Sequence, residues 1–238
     1  MKAVLLLHGF LSDYHDFEPL YKHLLKRYDH VERVLFPGHG ECNDLKDFDI
    51  DATFKCLYET FDNLKRDYDD IDVIGFSMGG ALATYLSNVR DFNKLVLLAP
   101  ANKFLNLNLP FKKFYFYLKT IFNSKEYLEM CKGTIADDKV AFKFAMKSLF
   151  PNYNYHTLSN FVKIIKKCND NVEEIKNPTL IIWGELDQFV PEASVRYNYN
   201  LCINEKKKLI IYPDISHLML SSKNNTKIID DILEFLQD

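Results

Sequence analysis

The sequence predicts an α/β protein: a doubly wound, mainly parallel sheet of about six strands carrying a helical insertion. Three observations lead there. Short apolar runs alternate with amphipathic helical segments. Several runs are apolar at every position, as strands covered on both faces are. One long central stretch breaks the alternation, with no run that reads as a buried strand.

The strands are expected at 3–7, 31–36, 71–75, 95–99, 180–183 and 209–212. The helices between them are expected at 17–28, 52–67, 78–88, 192–202 and 225–236. The last of these is the clearest. Ile228, Ile229, Ile232, Leu233, Phe235 and Leu236 make one apolar stripe for a sheet face. Residues 101–176 read instead as helix-like segments rich in Phe and Tyr, from Phe104 to Phe161, separated by Asn- and Lys-rich turns. The expected organisation is therefore a core of 1–100 and 177–238, with 101–176 as a helical cap over the strand ends. Most of its aromatics are expected to pack the cap onto the body, and a few to face a pocket.

Composition narrows the function. With 47% hydrophobic and 26% charged residues in 238, the chain can bury a substantial core, which excludes an intrinsically disordered protein. Thirty basic and 33 acidic residues leave a net charge of −3, so no global field attracts nucleic acid. The longest basic run, Lys206-Lys207-Lys208, reads as a solvated strand start. No apolar stretch approaches the ~18–20 residues of a membrane span, and the N-terminus does not read as a signal peptide. The five cysteines are scattered and lack C-x-x-C spacing, which argues against a disulfide framework or zinc site and for a reducing cytoplasm. Neither dinucleotide nor P-loop glycine pattern is present, so no nucleotide cofactor is expected. No metal is expected either: in Phe36-Pro37-Gly38-His39-Gly40 the histidine has only Glu41 and Cys42 as neighbouring ligands, a weak set.

The strongest chemical signal is Gly75-Phe76-Ser77-Met78-Gly79-Gly80. It joins a strand to a helix. A serine on so tight a turn is exposed on a strained backbone, and the flanking glycines let strand and helix approach. G-x-S-x-G arises by chance on the order of once per hundred chains of such composition. A hydroxyl alone is a weak nucleophile and needs a base, which in turn needs an orienting carboxylate. Of seven histidines, only His217 follows the last expected strand, where catalytic groups of such sheets gather. Asp187, after the preceding strand, is the chosen carboxylate, with Glu185 and Asp214 as alternatives. A developing oxyanion needs backbone donors. Met78 N–H follows the nucleophile, and Phe10 N–H lies in the turn Leu7-His8-Gly9-Phe10. His8 is expected to brace that turn.

Together with Trp183-Gly184-Glu185-Leu186-Asp187-Gln188-Phe189-Val190-Pro191 and Ser216-His217, these motifs resemble the α/β-hydrolase superfamily. Within it the chain looks like small bacterial carboxylesterases and monoacylglycerol lipases. The resemblance implies Ser77 as nucleophile, His217 as base, Asp187 as acid, and Phe10 and Met78 as oxyanion donors. It implies a small-molecule ester substrate and no cofactor. Many members begin with two antiparallel strands that this chain lacks, so its sheet is expected to be all parallel. The aromatic insertion suits an uncharged acyl chain. The same triad also serves thioester and C–C bond hydrolases, and some relatives of this fold only sense ligands.

Overall fold

The computed structural model describes residues 1–40, 44–103, 155–187 and 189–237. Six strands form one parallel sheet: β1 (Lys2–Leu7), β2 (His30–Arg33), β3 (Asp70–Phe76), β4 (Leu95–Leu98), β5 (Thr179–Gly184) and β6 (Lys207–Tyr212), in the order β2-β1-β3-β4-β5-β6. The α-helices among the described residues are α1 (Glu18–Leu24), α2 (Ile50–Asp67), α3 (Met78–Val89), α4 (Tyr155–Asp170), α5 (Glu192–Leu201) and α6 (Asn225–Gln237).

The strand order decides where the helices lie. The chain steps from β1 to β2 in one direction, then crosses back to β3 and runs on to β6 in the other. Parallel crossovers are right-handed, so α1 falls on one face and α2, α3 and α5 on the opposite one. The last helix, α6, joins α1, where Arg27 Nη1 donates to the Leu233 carbonyl at 2.8 Å. Between β1 and β3 the winding reverses. In sheets wound this way, ligands bind outside the carboxyl ends of the strands at such a point.

The central strands are buried at every residue of β4 and β5 and at all but one of β1 and β3, as continuous apolar runs require. Asp72 of β3 is fully buried. It accepts the Tyr28 hydroxyl at 2.6 Å and the Lys94 N–H at 3.0 Å, and it pairs with Lys2 Nζ at 3.0 Å. Helix α2 begins at an Asp49 cap whose carboxylate accepts the Ala52 N–H at 2.9 Å. Its residues Phe54, Leu57, Phe61 and Leu64 recur at helical spacing and are buried. Helix α4 lies inside the stretch read as an insertion. It packs on α3 and α2 and adds Phe161, Ile164, Ile165 and Cys168 to the common core. The aromatics of 104–154 fall outside the described residues.

Two elements are markedly shorter than the sequence reading, and others shift at their ends by one or two residues. The strand expected at 31–36 ends at Arg33. Val34 N–H still reaches the Leu6 carbonyl at 3.1 Å, but Phe36 N–H turns to the His8 ring at 3.1 Å, and Pro37 has no N–H to give. The helix expected at 17–28 is a 3-10 turn at Tyr14–Phe17 followed by α1, which starts at Glu18-Pro19. Proline is tolerated in the first helical turn, where its missing N–H costs nothing.

Candidate active site

Ser77 follows β3 with φ 54° and ψ −115°, a left-handed conformation that non-glycine residues avoid. Four hydrogen bonds hold it there. Its N–H donates to the Leu98 carbonyl at 2.9 Å, and its carbonyl accepts from the N–H groups of Gly80, Ala81 and Ala101 at 3.0, 3.2 and 2.9 Å. The glycines around it are steric necessities. A Cβ on Gly79 would lie 1.9 Å from the Leu7 carbonyl oxygen, and one on Gly75 would lie 2.3 Å from that of Gly79. Helix α3 can therefore start directly against β1 and β3, with the serine at its tip.

The loops after β5 and β6 bring the other two groups in. Gly184 makes their approach possible, since a Cβ there would sit 2.1 Å from the Ile215 carbonyl oxygen. Leu186 N–H donates to that same carbonyl at 3.1 Å, and Trp183 Nε1 closes the loop on the Val190 carbonyl at 2.9 Å. Asp187 Oδ1 accepts the N–H groups of Phe189 and Val190, both at 2.8 Å, leaving Oδ2 to accept from His217 Nδ1 at 2.7 Å. The other ring nitrogen, Nε2, lies 3.1 Å from Ser77 Oγ. With Nδ1–H committed to the carboxylate, Nε2 is the acceptor that faces the hydroxyl. The Asp187 side chain is fully buried and His217 nearly so. Glu185 and Asp214, the alternative carboxylates, are exposed.

The turn after β1 lies against Ser77: a Cβ on Gly9 would be 3.4 Å from that of Ser77 and 3.3 Å from the Phe76 ring. Phe10 follows on this turn. Met78 is the first residue of α3, so its N–H has no acceptor within the helix. His8 is fully buried behind the turn. Its Nδ1 donates to the Gly9 carbonyl at 2.8 Å, and its Nε2 accepts the Phe36 N–H at 3.1 Å. Protonation would cost that second bond, and burial already lowers the pKa to about 3, so the ring is neutral. His39 packs on His8 and Phe48 at ring separations of 5.1 and 4.9 Å, and burial lowers its pKa too. Its sequence neighbours Glu41 and Cys42 fall outside the described residues.

Aromatic rings pack beside the turn and the imidazole. Phe10 stacks on Phe161 of α4 at 4.6 Å and lies 5.3 Å from the Phe48 ring. Phe189, exposed, meets the His217 ring edge-on at 5.2 Å.

One charged neighbour escaped the sequence reading. Asp16 folds back under the turn, where Oδ2 accepts the Gly9 N–H at 3.2 Å and Oδ1 accepts the Ser12 hydroxyl. Burial raises its pKa to about 6, against the lowering effect of those two hydrogen bonds. Nothing in S-D-Y-H-D-F distinguishes this carboxylate from a helix-capping one such as Asp13, which accepts the His15 N–H nearby.

Comparison with known proteins gives the family and the fold. The profile of the family described as "Serine aminopeptidase, S33" (Hydrolase_4) matches residues 1–224. A carboxylesterase of Bacillus subtilis is 24% identical over 238 residues, covering 99% of this chain and 92% of its own. Human monoacylglycerol lipase ABHD6 is 25% identical, covering 97% and 75%. Among solved structures, an esterase from Exiguobacterium antarcticum superposes with a TM-score of 0.72 at 19% identity, covering 100% of this chain and 92% of that one, and so shares the fold.

Proposed function

The chain belongs to the serine aminopeptidase S33 family of α/β-hydrolases, and on that premise we propose that it is a serine hydrolase that cleaves carboxylic esters of uncharged, acyl-chain substrates through an acyl-enzyme on Ser77. The observation that carries the reading is the unbroken hydrogen-bonded chain from Ser77 Oγ through the His217 ring to Asp187.

The chemistry follows from that chain. As Ser77 Oγ attacks the acyl carbon, its proton passes to His217 Nε2 and the carbonyl electron pair moves onto oxygen. Asp187 holds the ring in the required tautomer and stabilises the imidazolium. The oxyanion is received by the N–H groups of Phe10 and Met78, each worth roughly 10²–10³ in rate where such donors have been removed elsewhere. When the tetrahedral adduct collapses, His217 returns the proton to the departing alcohol. A water then repeats the sequence, with His217 as base, and frees the acid.

An ester rather than a peptide with a free amino terminus is supported by the apolar rings of Phe10, Phe161 and Phe189 beside the turn and the His217 ring. The esterase and lipase names of the relatives point the same way. We assign the role of cap to the insertion at 101–176, which leaves the end of β4 beside Ser77 through the Ala101 hydrogen bond. The scattered cysteines favour the cytoplasm, and Cys56, Cys168 and Cys202 are free. Among the described residues no helix is long and apolar enough to cross a membrane.

The test is hydrolysis of 4-nitrophenyl esters with acyl chains of two to sixteen carbons by the wild type and Ser77→Ala. Turnover that vanishes in the variant is expected, and the chain-length optimum gives the depth of the acyl site. Equal turnover by the variant would refute the mechanism. Covalent labelling of Ser77 by a fluorophosphonate with no ester turnover would move the reading to another bond, such as a thioester.

A further inference from the structure

An oxyanion donor on a loop works only if its N–H points at the right place in the ground state. Phe10 N–H depends on Gly9, the residue with the least conformational restraint. The peptide that carries Phe10 N–H also carries the Gly9 carbonyl, and in a trans peptide the two point in opposite directions. His8 Nδ1–H holds that carbonyl at 2.8 Å. The preceding peptide carries Gly9 N–H, and Asp16 Oδ2 holds it at 3.2 Å. Gly9 is thus gripped on both sides, and its two backbone dihedrals are fixed by a ring and a carboxylate.

The second hand of this grip is expensive. Asp16 is wedged behind the site, at a small cavity it lines with Phe76, Leu218, Met219, Leu220 and Ser221. These come from the end of β3 and from the segment that follows His217. None carries a charge. The charged or titratable groups that face it are Asp13 on its own turn, which opposes ionisation, and His217, which favours it. Ser12 is the side-chain donor that holds its outer oxygen. A carboxylate in such a place destabilises the fold, and groups perturbed in this way concentrate at functional sites.

We propose that Asp16 is a positioning residue for transition-state stabilisation: with His8 on the other side, it locks Gly9 and so aims the Phe10 N–H at the acyl oxygen of a substrate attacked by Ser77. The proposal rests on the ester-hydrolase reading above and adds to it a residue that touches neither substrate nor triad proton. It acts on the adduct and not on ground-state binding of the acyl chain, so it belongs in kcat and not in KM.

The experiment compares wild type, Asp16→Ala, Asp16→Asn, Ser12→Ala and Ser77→Ala on 4-nitrophenyl butyrate. Affinity is measured alongside for an alkyl trifluoromethyl ketone, whose carbonyl takes up Ser77 Oγ and becomes an oxyanion. For Asp16→Ala, kcat is expected to fall ~10–100-fold, less than loss of a donor outright, with KM within threefold. Inhibitor affinity should weaken by the same factor as kcat/KM. Asp16→Asn, whose amide oxygen still accepts Gly9 N–H, should return to within about fivefold of wild type. Ser12→Ala frees the carboxylate to swing and should lower kcat about three- to tenfold with unchanged KM; it decides the matter if Asp16→Ala does not fold. An Asp16→Ala kcat within threefold of wild type overturns the proposal, as does a loss expressed in KM or an Asp16→Asn as slow as Asp16→Ala. These outcomes count against Asp16 alone when Ser77→Ala is inactive. An active Ser77→Ala removes the ester mechanism, and Asp16's role with it.

Discussion

Replacing Asp16 by Asn should make the protein more stable at neutral pH while leaving it no faster. The carboxyl group has a pKa near 3.8 in an unfolded chain and about 6 when folded. A folded-state pKa above the unfolded one means that the native protein binds the proton more tightly. The stability this confers is complete below pH 3.8 and is lost as the pH rises through 6. By pH 7.5 the ionised group is therefore a net cost. Two pKa units correspond to roughly 3 kcal/mol, and because Asp16 keeps partial access to water, about 1–2 kcal/mol is the realistic gain on removing the charge. Urea unfolding of wild type and Asp16→Asn at pH 7.5 and pH 4 measures it. The variant should be more stable by that amount at pH 7.5, and the difference should shrink to about 0.5 kcal/mol or less at pH 4, where the folded-state carboxyl is protonated. A gain of equal size at both pH values would show that packing and not charge is responsible. No gain at pH 7.5 would show that the carboxylate is not strained, and the argument that it is kept at a cost would fail.

The other predictions concern neighbouring residues. His8 has its pKa lowered to about 3 from 6.5, so its contribution is complete above pH 6.5 and is lost as the pH falls toward 3. Unfolding free energy should carry a component of about 1.4 kcal/mol per pH unit over that range, and a His8→Gln variant should lack it when measured the same way. Gly79→Ala puts a methyl group into the Leu7 carbonyl. It should cost about 3 kcal/mol or more in urea unfolding or leave the protein insoluble, and a wild-type midpoint would contradict the close approach of α3 to β1. Asp187→Asn should reduce kcat by about 10⁴ in a chain still folded by circular dichroism, because the imidazole loses its orienting carboxylate. A loss of tenfold or less would mean that Asp187 does not orient the ring.

The legible part of the fold was the part set by periodicity. Continuous apolar runs gave the strands, and the six-strand parallel sheet follows them. The strand at 31–36 was overread because Val34 and Phe36 look like strand residues. Their burial is real, but it serves the turn that His8 holds, and apolar character does not report where an N–H points. The candidate site was legible where chemistry needs one residue type in a defined place: Ser77 between glycines, and Asp187 and His217 after successive strands. Asp16 was not legible. Its role depends on a turn that reverses the chain over seven residues to bring a carboxylate to Gly9 N–H, and Leu11 in that turn takes a φ of 59° that no residue preference announces. Phe161 was seen only as one aromatic among many, because its stacking on Phe10 is a long-range contact.

Ser77 and Asp16 solve one problem in two ways. The proposed mechanism needs a nucleophile and an oxyanion site built on separate segments, after β3 and after β1, yet fixed relative to each other. At Ser77 the left-handed backbone, of order 1–3 kcal/mol in cost, is held by hydrogen bonds to β4 and to the start of the insertion, so the strain is spread over three elements. At Gly9 the backbone itself is not strained in φ, and the restraint must come from side chains, with a charge behind the turn as its cost. Close packing joins the two: Gly79 against the Leu7 carbonyl, and Gly9 against Ser77. A movement of α3 relative to β1 would therefore shift Ser77 and the Gly9 turn together, whereas loss of the Asp16 contact would shift the turn alone. This is why the Asp16 substitutions, and not those at Gly79, separate aiming of the donor from integrity of the fold.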